Sequence, residues 1–103
     1  MYKISFYVPE MQLEPVKHAL FKAGAGKIGD YEHCCWQVKG VGQFKPLAGS
    51  QPFIGEVGRC EVLDEYKVEM VCDSKFITEV IESLKQAHPY EEPAYEVIEL
   101  LDF

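Results

Sequence analysis

Apolar and polar residues alternate over the first eight positions. Tyr2, Ile4, Phe6 and Val8 fall on one side, Lys3, Ser5 and Tyr7 on the other. A period of two is that of a strand with one covered face. The period then lengthens. Leu13, Val16, Leu20 and Ala23 repeat at helical spacing, Pro15 suits the first turn, and Gly24 supplies the stop. A second alternation sets Glu32, Cys34, Trp36 and Val38 against His33, Cys35, Gln37 and Lys39. It predicts a strand whose Cys34 and Trp36 point into the core. The stretch Gly40 to Gly58 carries five glycines and two prolines and is expected to be an ordered loop or a bent hairpin end. Glu61 to Cys72 reads as a third strand, with Tyr66, Val68, Met70 and Cys72 on one face. Ser74 is expected to cap a second helix with an apolar stripe of Ile77, Val80, Ile81 and Leu84. Pro89 stops that helix near His88, and Ala94 to Leu101 supplies the last strand.

The order strand, helix, strand, strand, helix, strand predicts an α+β fold. It is the ferredoxin-like βαββαβ sandwich, with two helices on one face of an antiparallel sheet. Residues 1–103 read as a single domain, and at 48% hydrophobic and 26% charged residues the chain can build a core without staples.

The formal charge of −7 argues against a protein that tracks nucleic-acid phosphates, which needs a basic face. An acidic surface of this kind is either simply solvated or attractive to cations and basic partners. No apolar run approaches the roughly 20 residues of a membrane span, and the first residues look like a strand rather than a leader. The four cysteines, Cys34, Cys35, Cys60 and Cys72, include no Cys-x-x-Cys pair. Neither a disulfide framework nor a zinc ribbon is expected, and reduced thiols in a cytoplasmic protein fit the spacing.

Gly24, Gly26 and Gly29 form a Gly-x-Gly-x-x-Gly string. A dinucleotide fingerprint needs a strand before it and a helix after it, so that pyrophosphate sits on a helix N-terminus. Here the order is reversed and the negative end of a helix faces the glycines. The string reads as a helix stop followed by a tight turn.

Two clusters carry candidate chemistry. In His33-Cys34-Cys35, strand geometry puts His33 and Cys35 on one face and Cys34 on the other, so the three cannot serve one ion together. His33 with Cys35 would supply two ligands to a soft metal, and the alternative is a surface histidine beside a partly covered thiol. In His88-Pro89-Tyr90-Glu91-Glu92-Pro93, an imidazole, a phenol and two carboxylates are gathered at a helix-to-strand turn. A helix C-terminus favours protonated His88, and Glu91 or Glu92 would reinforce it. Such a turn binds a divalent ion, copper or zinc, or a polar ligand, unless it is only a solvated cap. No nucleophile with an oriented base is apparent, so no catalytic residue is assigned. His18 is expected on the surface. Phe44, Pro46, Phe53 and Ile54 are the loop and subunit-contact candidates, as apolar residues in the glycine-rich segment.

Several stretches together resemble one family. They are Gly24 to Tyr31, then Cys34 and Trp36, then Gly40-Val41-Gly42-Gln43-Phe44-Lys45-Pro46, then Gly49, Pro52 and Ile54-Gly55, and finally Ala87 to Tyr95. Nearly the whole chain is similar to the PII/CutA-like insert domain of the NIF-three-like (NGG-interacting factor, YqfO) proteins. The turn at His88 also resembles that of the CutA divalent-ion-tolerance proteins. The resemblance implies a stand-alone form of that insert. On this reading the flanking halves that hold the full-length family's dinuclear metal centre are not expected, and its suspected hydrolase activity is not expected to transfer. It also implies self-association, as a trimer first and a dimer second.

The expected function is a non-enzymatic, oligomeric sensor or interaction module binding a regulatory protein partner or a small ligand. The alternatives are a divalent-metal binding protein, and a small hydrolase or thiol enzyme that the sequence does not support.

Overall fold

The computed structural model describes all residues from Met1 to Phe103. Strand β1 (Tyr2–Pro9) is followed by a short 3-10 turn and helix α1 (Leu13–Ala23). Strands β2 (Trp36–Phe44) and β3 (Glu61–Cys72) form a long hairpin, helix α2 (Ile77–Ala87) follows a second 3-10 turn, and β4 (Tyr95–Glu99) closes the chain. The sheet order is β2-β3-β1-β4 with every pairing antiparallel. This is the ferredoxin-like βαββαβ sandwich.

One face of the sheet carries the core. Ile4, Phe6 and Val8 of β1 and Val68, Met70 and Cys72 of β3 are buried against Val16 and Leu20 of α1 and Val80 and Leu84 of α2. The period-two pattern of β1 and β3 and the stripes of both helices therefore meet in one layer, as the alternation predicts. Gly24 ends α1 in the left-handed conformation, φ 118°, with its N–H bonded to the Leu20 and Phe21 carbonyls. Gly26 continues the turn, donating to the Val71 carbonyl of β3 at 2.8 Å and accepting from Cys34 N–H at 2.8 Å. The glycine string is a turn that ties α1 to the sheet.

Three element boundaries need correction. The strand predicted from Glu32 starts only at Trp36, because His33 sits at φ 59° and breaks the extended run. The loop predicted from Gly40 starts later, because β2 runs through Gly40 and Gly42 to Phe44, paired to β3. The cap of the second helical segment is Asp73, not Ser74, since its side chain accepts from Lys75 N–H at 3.0 Å. Asp73→Ala is expected to cost about 1 kcal/mol in a denaturant titration, and Ser74→Ala a few tenths. Equal costs would return the cap to Ser74.

The β2 face is the reverse of the one expected. Trp36 and Val38 pair with Glu69 and Lys67, and these positions point away from the helices. Trp36 is 70% exposed, so it is no part of the core. Gln37 takes the helix side instead and accepts from Lys17 of α1 at 2.8 Å. At an edge strand covered by little more than the Lys17 side chain of α1, the helix-side positions can be polar, and Trp36 and Val38 lie on the open face. There they join Ile98, also exposed, around a charged centre in which Lys3 and Lys67 pair with Glu69. The Lys3 hydrogen bond holds the Glu69 carboxyl below its ordinary range, against partial burial.

The first four residues of β3, Glu61 to Asp64, pair with β2 alone, so the hairpin projects past the end of β1. The molecule is accordingly elongated, with extents of 46 × 24 × 24 Å.

Candidate functional site

The base of the projecting hairpin, the loop at its tip and the turn after α2 enclose a cleft of about 580 Å³. It brings together residues far apart in sequence. Phe44, Pro46, Phe53 and Ile54 line one side, and Tyr90, Glu91 and Glu92 the other. The loop candidates and the turn candidates therefore belong to one site, apart from His88, whose ring centre lies 4.9 Å from that of Tyr90.

Tyr90 is the hinge of the arrangement. Its ring centre is 5.8 Å from that of Phe44 and 6.4 Å from that of Phe53, tilted by 56° and 50°. Tilted aromatic contacts of this kind suit the ring quadrupoles and add to the packing. The Tyr90 hydroxyl donates to Glu65 of β3 at 2.9 Å. Burial, then the Glu65 hydrogen bond, push the phenol far above its ordinary range, so Tyr90 stays a donor. Room for Glu65 comes from Gly42 on the opposing strand, where a Cβ would run into the carboxylate. Glu91 accepts from Gln51 N–H at 2.9 Å and so fastens the hairpin loop to the turn. Pro46 is buried beneath the loop, and its carbonyl accepts from Gly58 N–H at 2.8 Å.

His88 is 5% exposed, and both ring nitrogens are used. Nε2 lies 2.7 Å from the Tyr7 carbonyl, which can only accept. Nδ1 lies 3.2 Å from the Tyr90 N–H, which can only donate. The ring is therefore neutral with its proton on Nε2. Tyr7 is one residue past the last β1–β4 pair, Phe6 with Tyr95, so His88 satisfies a carbonyl that β4 leaves open. This corrects the expectation of a protonated His88. Burial lowers its pKa, against the Tyr7 hydrogen bond and the attraction of Glu65, which are the weaker influences. Glu91 and Glu92 do not take the part expected of them there.

The His33-Cys34-Cys35 cluster lies elsewhere. The eight steps of β2 separate Trp36 from Phe44 by roughly 26 Å at ~3.3 Å per residue. With no strand there, the shared face of His33 and Cys35 does not exist. His33 stacks on Phe21 with ring centres 4.8 Å apart and planes at 15°. Cys34 is half-buried with its thiol towards the Glu32 carbonyl at 3.8 Å, and Cys35 is exposed. No three His, Cys, Asp or Glu side chains come together as a metal-holding group, here or at the turn. His18 is exposed, as expected.

Sequence reasoning missed Glu65, Tyr7 and Gly42. A signal for the last was present: two glycines, Gly40 and Gly42, in one strand mark a close approach by another group.

No family model matches the chain. It is 47% identical over 95 residues to a Mycobacterium tuberculosis protein named GTP cyclohydrolase 1 type 2 homolog, covering 92% of this chain and 25% of that one. The crystal structure of a Bacillus cereus protein related to NIF3 superposes with a TM-score of 0.83 at 37% identity, over 98% of this chain and 26% of that one. The periplasmic divalent cation tolerance protein CutA of Archaeoglobus fulgidus shares the fold, with a TM-score of 0.70 at 18% identity over 100% of this chain and 87% of that one. The chain spans about a quarter of the length of the curated relatives it matches. No helix is long and apolar enough to cross a membrane. At 37–47% identity over more than nine-tenths of its residues, and with this fold, the chain is similar to a CutA-like segment within longer NIF3-related proteins.

Proposed function

We propose that the chain is a non-enzymatic sensor or interaction module that takes a small ligand in the cleft beneath its hairpin loop and self-associates through its sheet. The observation that carries the reading is the convergence of the loop residues Phe44 to Ile54 and the turn residues Tyr90 to Glu92 on one cavity. Its volume of about 580 Å³ falls within the roughly 300–1,000 Å³ of small-ligand sites. Aromatic walls with a few placed polar groups are the composition of such sites, whereas a nucleophile and an oriented base are missing from it. Self-association is supported by two open sheet edges, β2 and β4, and by the exposed Trp36, Val38 and Ile98 on the open face. Phe44 leans on Tyr90 of its own chain, and in this reading it belongs to the cleft.

Two measurements test the reading. A small-molecule library followed by amide chemical shifts is expected to move Gln43 to Leu47 and Tyr90 to Glu92 together. Shifts confined to other regions would remove the cleft as the binding site. Sedimentation over a micromolar concentration series is expected to show a trimer, or failing that a dimer, which Trp36→Glu dissociates. A concentration-independent monomer ends the self-association half of the proposal.

A further inference from the structure

The walls of the cleft carry unequal charge. Glu65, Glu91 and Glu92 line it, and Lys45 is the one cationic lining residue. Neither these three carboxylates nor Glu61 beside them forms any of the ion pairs of the molecule. Their bonding partners are neutral: the Tyr90 hydroxyl on Glu65 and the Gln51 amide on Glu91. Glu65 is fixed by Tyr90 and by the space Gly42 leaves, so it is positioned without being neutralised. Around it, the Tyr90 ring meets those of Phe44 and Phe53 at tilts of 56° and 50° rather than stacking, and all three line the cavity.

Ring faces attract cations and repel anions, and the half-buried Glu65 carboxylate acts in the same direction with less screening than in bulk water. The exposed Glu91 and Glu92 add a weaker field of the same sign. A phosphate or carboxylate ligand would face three carboxylates against one lysine. A neutral apolar ligand would use the rings and leave the carboxylates unanswered. We propose that the cleft binds a small organic cation, an ammonium or amidinium on an apolar body. Its charge lies beside the Glu65 carboxylate, against the Tyr90 ring, and its body lies on Phe44, Pro46 and Ile54. This inference rests on the reading of the cleft as a small-ligand site, and supplies the chemical class of that ligand.

Three probes with one body and different heads test it: 4-phenylbutylammonium, 4-phenylbutanol and 5-phenylpentanoate, titrated into the full chain with amide shifts as the readout. The ammonium is expected to bind about tenfold more tightly than the alcohol, and the carboxylate to bind more weakly than both. Glu65→Gln keeps an acceptor for Tyr90 and is expected to cut the ammonium preference to about threefold or less while leaving the alcohol unchanged. Glu92→Gln is exposed and breaks no hydrogen bond, so it serves as the second variant, with a smaller loss of preference in the same direction. Equal binding of ammonium and alcohol, or a preference for the carboxylate, overturns the cation assignment and leaves the cleft a binding site. Absence of cleft shifts with all three probes overturns both. A preference that survives the double Glu65→Gln, Glu92→Gln variant also overturns it, because these carboxylates would not be reading the charge.

Discussion

His88→Ala is expected to destabilise the protein by about 3 kcal/mol, a large share of the ~5–15 kcal/mol that holds a domain of this size together. Two losses combine. The ring is buried, so its removal leaves a cavity behind Tyr90, and the Tyr7 carbonyl and Tyr90 N–H lose their partners together. His88→Gln is expected to recover more than half of the loss, because an amide can donate to Tyr7 and accept from Tyr90.

The pH dependence carries the same signature. Burial holds the native ring below its ordinary value of 6.5, so near that pH the unfolded chain binds a proton that the native state refuses. Stability then rises with pH over this range. It is complete above about pH 6.5 and is lost as pH falls towards and through the lower native value. Glu69, whose carboxyl is depressed from 4.5, acts in a separate, more acidic window. Urea midpoints between about pH 7 and pH 5 should slope for wild type and be markedly flatter for His88→Gln. A flat wild-type profile, or a loss below about 1 kcal/mol for alanine, would show that the ring does not bridge Tyr7 and Tyr90.

Gly26→Ala is expected to cost about 2–4 kcal/mol, while Gly29→Ala costs only about 1 kcal/mol. Both glycines have positive φ, 80° and 55°, so both substitutions carry left-handed strain. They differ in surroundings. A Cβ at Gly26 would meet the Phe21 ring at 2.8 Å and the Cys34 carbonyl at 3.0 Å, and at Gly29 it would meet nothing within 4 Å. Phe21 is itself pressed by the His33 ring, so it has little room to yield. Denaturant titration with unchanged m-values measures the difference directly. Indistinguishable midpoints would mean that crowding at the turn contributes nothing.

The sequence by itself determined the layers. Strict alternation in β1 and β3 and helical spacing in α1 and α2 left one way for Ile4, Phe6, Val68, Met70, Val80 and Leu84 to be buried together, and the observed core is that layer. Gly24 and Pro89 fixed the helix ends, because φ and the missing N–H are properties of those residues alone. The order of Gly24, Gly26 and Gly29 after a helix was enough to read a helix stop followed by a tight turn. Alternation could not say which face of β2 is covered. Its Trp36 and Val38 look like core residues, yet an edge strand is covered only where a helix reaches it, and that is decided by the width of the helical layer. Local rules also misplaced the charge on His88. They see the end of α2, while the Tyr7 carbonyl and the burial that keep the ring neutral come from β1, 81 residues away. The cleft itself belongs wholly to the tertiary structure. Phe44, Glu65 and Tyr90 meet only because the hairpin projects past β1 and the turn after α2 folds against it. No periodicity along the chain records that meeting.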